Sequence, residues 1–216
     1  MDSEFWHDKW QTAQIGFHLS EVHPLLRRHG AMLAASRRVF VPLCGKSLDL
    51  LYLRDQGAEV VGVELSPIAV EQFFTEQGMS PSTTLMASGE CLEANAVRLI
   101  RGDFFSVRRE DLGELDAVYD RAALIAMPPE MQEAYARQLV SLISPQASIM
   151  LITLDYDPSE MAGPPFSTSA NQVGRLFGDR YRIQELETQD VLAMNPALRS
   201  RGLSALTESA WYLSPV

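Results

Sequence analysis

Residues 38–67 read RVFVPLCGKSLDLLYLRDQGAEVVGVELSP, and the reading of this stretch sets the fold. RVFVPL and AEVVGVEL are β-branched, apolar runs with little polar alternation, the pattern of strands buried on both faces. Between them, SLDLLYLRDQG carries apolar residues at helical spacing and stops at Gly57. Strand, helix and buried strand make a βαβ unit with parallel strands and a right-handed crossover.

The same alternation continues outward. Ser66-Pro67 reads as a helix N-cap followed by proline at the first helical position, and IAVEQFFTEQG runs from there to Gly78. Further strands are expected in AVRLIRG (96–102), LDAVYD (115–120) and ASIMLITL (147–154). The segment PPEMQEAYARQLVSLIS is a helix begun by proline and ended before Pro145. Two later strands, YRIQELE (181–187) and AWYLSP (210–215), are placed as an antiparallel pair at one sheet edge. The loop DYDPSEMAGPPFSTS (155–169) follows the fifth strand, and in an open α/β sheet ligands bind beyond the carboxyl ends of strands. Residues 1–30, with Trp6, Trp10, Phe17, Val22, Leu25 and Leu26, suggest helical turns broken at Gly16, and form an N-terminal extension on a Rossmann-like core at 36–216. The expectation is one domain over 1–216, since chains divide into separate cores beyond roughly 250 residues.

The Gly45-Lys46-Ser47 turn invites a P-loop reading, which requires an earlier glycine where this chain has Phe40, inside the strand. A phosphate cradle is therefore not expected. Glu64 ends the second strand about 20 residues beyond Gly45, the place where βαβ nucleotide folds carry an acidic side chain for ribose hydroxyls. The other reading is a solvated strand-end carboxylate. A dinucleotide site uses three glycines to admit a pyrophosphate, whereas PLCGKS has one, so the spacing favours a ligand with ribose and no pyrophosphate: S-adenosylmethionine.

Composition narrows the partners. Hydrophobic residues at 46% and charged residues at 21% describe an ordinary folded protein. A net charge of -10 with scattered arginine pairs argues against a nucleic-acid partner. The N-terminus lacks a basic region followed by an apolar one, and no apolar run approaches the ~20 residues of a membrane span. A cytoplasmic, membrane-free monomer is the expectation. Cys44 and Cys91 fit free thiols, and His7, His18, His23 and His29 lack metal-ligand spacing, so surface or packing roles are expected for them and no metal site is assigned.

Taken together, FWHDKWQTAQIGFH (5–18), VPLCGKSLDL (41–50), GVELS (62–66), GDFF (102–105), YDRAALIAMPP (119–129) and GPPFS (163–167) resemble the thiopurine S-methyltransferases in their compact bacterial form. The resemblance covers essentially the whole chain. It implies an α/β, Rossmann-like class I methyltransferase fold with a seven-stranded, mostly parallel sheet, an antiparallel edge strand, helices on both faces and an N-terminal helical lid. It implies S-adenosyl-L-methionine as cofactor, with contacts at Trp10, Leu43, Glu64 and Arg121, and a Gly45 turn passing the methionine end. Phe104 is expected against adenine or else in the core, and Phe17 in the segment that closes over the substrate. Trp10 either faces the cofactor or docks its own helix. Arg121 either holds the cofactor carboxylate, positions an anionic acceptor, or pairs with Asp120. No obligatory general base is identified, and the catalytic assignment is left empty. Aromatic and heterocyclic thiols such as thiopurines are the implied acceptors, with selenium and tellurium compounds (detoxification, tellurite resistance) associated with bacterial members. A small NAD-dependent oxidoreductase and a non-catalytic S-adenosylmethionine-binding protein are the alternatives.

Overall fold

The computed structural model describes residues 3–216, so the first two residues of the expected extension lie outside the described residues. Helices α1 (Ser3–Gln11) and α2 (Pro24–His29) precede β1 (Arg38–Pro42), α3 (Asp49–Asp55), β2 (Glu59–Glu64) and α4 (Pro67–Glu76). Then come β3 (Ser82–Met86), β4 (Gly89–Ala94), β5 (Val97–Arg101), α5 (Arg109–Leu112), β6 (Ala117–Arg121) and α6 (Pro129–Leu142). The chain ends with β7 (Ser148–Asp155), α7 (Ala170–Phe177), β8 (Tyr181–Asp190), α8 (Pro196–Ser200) and β9 (Thr207–Pro215). The strands form a mixed nine-stranded sheet in the order β3-β4-β5-β2-β1-β6-β7-β9-β8. Among the described residues no helix is long and apolar enough to cross a membrane.

Two compact units divide the chain, Met1–Tyr119 with Leu142–Ser144, and Asp120–Ser141 with Pro145–Val216. In the first, β1 pairs in parallel with β2 and with β6, and β2 pairs in parallel with β5. The strand order thus reverses at β1, the kind of switch point at which open α/β sheets bind ligands. Val39, Phe40, Val60, Val63, Leu99, Ile100 and Val118 are all fully buried, which is why these strands lack alternation. Each such side chain contributes about 1.5–3 kcal/mol by leaving water. Helix α4 begins as expected, with the Ser66 hydroxyl accepting the Ala69 N–H at 3.4 Å and Pro67 in the first turn.

Two expectations are corrected. The sheet has nine strands rather than seven, because the β3–β4 hairpin pairs antiparallel onto β5 and extends that edge. Its β3 strand is exposed along most of its length, Leu85 by 79%, so no buried face imprints a pattern on STTLM. In the second unit, β9 pairs antiparallel with both β7 and β8, which places the reversed strand one in from the edge. That unit also contains a small core of Tyr156, Met161, Val191, Leu203 and Leu206, built from the 155–169 loop and the segment between β8 and β9.

Gly62 in β2 is a point of close approach. A Cβ there would stand 2.6 Å from Cys44 Sγ and 2.7 Å from Leu99 Cδ2. Gly62→Ala is expected to lower stability by about 1–3 kcal/mol in urea unfolding, the usual cost of overpacking. Adding Cys44→Ala should restore part of that loss; no recovery would mean that the Leu99 collision dominates.

Candidate functional site

In the first unit, the turn after β1 is built around one buried carboxylate. Glu64 is 7% exposed, and each of its oxygens accepts a backbone N–H: Oε2 from Gly45 at 2.9 Å and Oε1 from Ser66 at 2.7 Å. Burial pushes the Glu64 carboxyl above its usual range, while the N–H groups of Ser66 and Gly45 and the nearby His7 favour the charged form. The solvated strand-end reading of Glu64 does not hold. Each carboxylate oxygen can accept two hydrogen bonds, so both retain acceptor capacity beyond the backbone donors. A vicinal diol supplies two hydroxyl donors, and the donor requirement of a buried carboxylate is one that a ribose fits.

The backbone reaches Glu64 through two left-handed residues. Leu43 has φ +46° and Gly45 φ +53°. The second position takes glycine at little cost; the first stores of order 1 kcal/mol, strain of the kind concentrated at ligand clamps. Gly45 also meets Trp10, since a Cβ there would lie 3.2 Å from the indole Cζ2. Trp10 is 5% exposed and packs edge-on to Phe17 with centroids 5.7 Å apart, and Trp6 meets the same ring at 5.7 Å. The chain thus folds back after α1 so that Phe17 is held by two tryptophans one helical turn apart. Phe104 is buried, stacked on Phe40 at 6.5 Å with 10° between planes, and edge-on to Phe105 at 5.3 Å. Asp103 accepts the Phe105 N–H at 3.0 Å and so closes its own turn.

The remaining polar groups of the Gly-Lys-Ser turn are used structurally. Lys46 pairs with Glu76 at 2.6 Å, and the Ser47 hydroxyl accepts the Asp49 N–H at 3.2 Å. Buried Asp49 accepts the His23 N–H at 2.8 Å and the Tyr119 hydroxyl at 3.1 Å. Lysine in a phosphate cradle points at its ligand; here it is tied to the end of α4. Two residues of this unit carry little signal in the sequence: Asp49, whose leucine-rich surroundings hide a buried acid, and His7, which lies one turn before Trp10 on α1.

In the second unit, Arg121 is half-buried at the end of β6, followed by Ala122 at φ +64°. Asp120 is fully buried and accepts the Tyr135 hydroxyl at 2.7 Å and the Leu124 N–H at 3.1 Å. These bonds fix the chain as it leaves the strand. The GPPFS segment is held by its own carbonyls: Gly163 and Pro164 accept from Arg201 at 3.1 and 2.8 Å, and Pro165 accepts the Tyr156 hydroxyl at 2.6 Å.

The thiopurine S-methyltransferase family model matches residues 1–215. The chain belongs to the thiopurine S-methyltransferase family. It is 49% identical to the thiopurine S-methyltransferase of Methylococcus capsulatus, across 99% of this chain and 97% of that one. It is 48% identical to that of Pseudomonas fluorescens, across 100% of each. Among solved structures, the S-adenosylmethionine-dependent methyltransferase of Anabaena variabilis superposes with a TM-score of 0.64 at 13% identity, covering 99% of this chain and 95% of that one. The fold is that of class I methyltransferases, and the chain is an S-adenosylmethionine-dependent methyltransferase.

Burial pushes the Asp120 carboxyl up to about 6 from an ordinary 3.8, against the opposing Tyr135 and Leu124 hydrogen bonds. Between those values the folded chain binds a proton that the unfolded chain lacks. Stability from this group therefore grows as pH falls from about 6 towards about 4, and is lost as pH rises through about 6. Asp120→Asn should remove a pH-dependent difference of up to about 3 kcal/mol between pH 4 and pH 7.5 in urea titrations. Identical pH dependence in the two proteins would show that Asp120 does not titrate in that window.

Proposed function

We propose that this protein transfers a methyl group from S-adenosylmethionine to the sulfur of aromatic or heterocyclic thiols, thiopurines among them. The observation that carries the cofactor half is buried Glu64, anchored by Gly45 and Ser66 and able to accept two more donors. The acceptor half rests on the family, and on the chemistry of soft nucleophiles, which extends the reading to selenium and tellurium compounds.

When bound, the cofactor supplies a methyl group already activated on a sulfonium. What the chain must add is alignment, worth up to about 7–11 kcal/mol in favourable intramolecular cases. Glu64 accepts the ribose hydroxyls in charge-assisted bonds. Leu43 and Gly45 bring the turn alongside the methionine part, with Trp10 against Gly45 covering it. Phe104 supports the adenine side from the core. Phe17 presents its remaining surface to the acceptor. Arg121 attracts an anion, either the cofactor carboxylate or a thiolate acceptor, and a cation near a thiol favours the nucleophilic thiolate. The proton of the thiol or of its N–H thione form is lost to water as the thiolate forms, and the thiolate sulfur then takes the methyl group while the cofactor sulfur leaves as a neutral thioether.

Calorimetry with S-adenosylhomocysteine tests the assignment. Glu64→Ala should weaken binding by at least about 100-fold, two charge-assisted hydrogen bonds being lost, while far-UV circular dichroism is retained. Wild-type affinity in that variant would remove Glu64 from the site. Phe17→Ala should raise the KM for thiol acceptors several-fold and leave cofactor affinity within about twofold, a split characteristic of lost acceptor contacts. An unchanged KM across aromatic thiols, a thiopurine and selenite would exclude Phe17 from acceptor binding.

A further inference from the structure

Among the described residues, two buried side-chain polar atoms have no hydrogen-bond partner, His7 Nε2 and Ser88 Oγ. A buried, unpartnered ring nitrogen is costly, and in a native structure it calls for an explanation. His7 lies on α1 three residues before Trp10, so the two share a helix face. Trp10 rests on Gly45, and the Gly45 N–H goes to Glu64 Oε2. His7 is near enough to Glu64 to act on its carboxylate electrostatically. The orphaned nitrogen therefore belongs to the same small neighbourhood as the Glu64 carboxylate, within one unit of the fold.

A hydroxyl that donates its hydrogen to Glu64 still has lone pairs on oxygen, and the Gly45 and Ser66 N–H groups do not serve them, being directed at Glu64 itself. An imidazole N–H is the missing complement. We propose that His7 is a further cofactor-binding residue, its Nε2–H donating to a ribose hydroxyl oxygen whose hydrogen goes to Glu64. This rests on the reading of Glu64 as the ribose acceptor. The arrangement makes α1 a reader of the sugar as well as a cover for the turn, and it gives one hydroxyl both an acceptor and a donor.

The test is calorimetric binding of S-adenosylhomocysteine and of its 2′-deoxy and 3′-deoxy analogues to the wild type, His7→Leu and His7→Gln. His7→Leu should weaken S-adenosylhomocysteine about five- to thirtyfold, the range for one buried hydrogen bond. Against one of the two deoxy analogues the loss should shrink to about twofold or less, because the oxygen that His7 contacts is gone. His7→Gln, which keeps an N–H donor, should recover most of the affinity and serves as the readout if His7→Leu does not fold. An equal loss against the parent and both analogues would mean that His7 only packs and would overturn the proposal, as would unchanged affinity in both variants. If the wild type binds both deoxy analogues as tightly as the parent, the ribose reading of Glu64 itself fails. Discrimination by the wild type with no change in the His7 variants confines the failure to His7.

Discussion

The Glu64 carboxylate is the constraint on which the carboxyl ends of β1 and β2 depend. A charge at 7% exposure is sustained only if donors replace the water it has lost, and the donors come from two directions. Gly45 reaches it from the turn after β1, and Ser66 from the first residue before α4. The carboxylate thereby fastens the carboxyl end of β1 to the carboxyl end of β2, and it orients the start of α4 through the same serine that caps that helix. The left-handed backbone at Leu43 and Gly45 follows from the need to turn an N–H inward within a few residues of the strand. Trp10 then has a flat glycine to rest on, and α1 a place to dock.

The surrounding polar groups show how little is left over for a ligand. Lys46, Ser47 and Asp49 stand in the sequence as if offered to a phosphate, yet all three are engaged in holding the turn and α3 in place. Removing the P-loop reading needs no appeal to the missing glycine once those contacts are seen. Within this unit, what stands at the turn is the Glu64 carboxylate and the aromatic pair of Trp10 and Phe17. A buried carboxylate beside aromatic rings is poorly suited to a polyphosphate, and it agrees with the proposed diol-bearing cofactor.

How much of this was legible depended on what each residue's environment leaves in the sequence. RVFVP and EVVGVE are buried on both faces, and a continuous apolar run is the direct consequence. Ser66-Pro67 announces its helix because capping is local chemistry. The link between Gly45 and Glu64 was foreshadowed by their spacing, since a βαβ unit fixes the distance from glycine turn to strand end. The β3–β4 hairpin was not, because an exposed edge with Leu85 turned outward imposes no period on STTLM, although the two short β-prone runs flanking the Ala87–Gly89 turn were a signal of a hairpin. Nor were Leu43 and Ala122: positive φ leaves a signature only when glycine or asparagine takes it, and here leucine and alanine do. For His7 the histidine spacing speaks only against a metal site, whereas its shared helix face with Trp10 shows once α1 is formed.

The energetics of Glu64 join binding to ionisation. Burial opposes the charged carboxylate, and the backbone N–H groups of Ser66, Gly45 and Leu65 offset only part of that cost, leaving the carboxyl above its usual range. Hydroxyl donors from a bound ribose act in the same direction as those N–H groups, since each stabilises the anion and not the acid. With Glu64 as the proposed ribose acceptor, ligand binding and deprotonation of Glu64 reinforce one another, by the same linkage that couples any ligand to a proton. A fully solvated carboxylate would carry the charge without help and would gain less from each new donor. On the proposed reading of the site, the burial that makes Glu64 expensive to ionise is also what favours a partner that brings two donors at once.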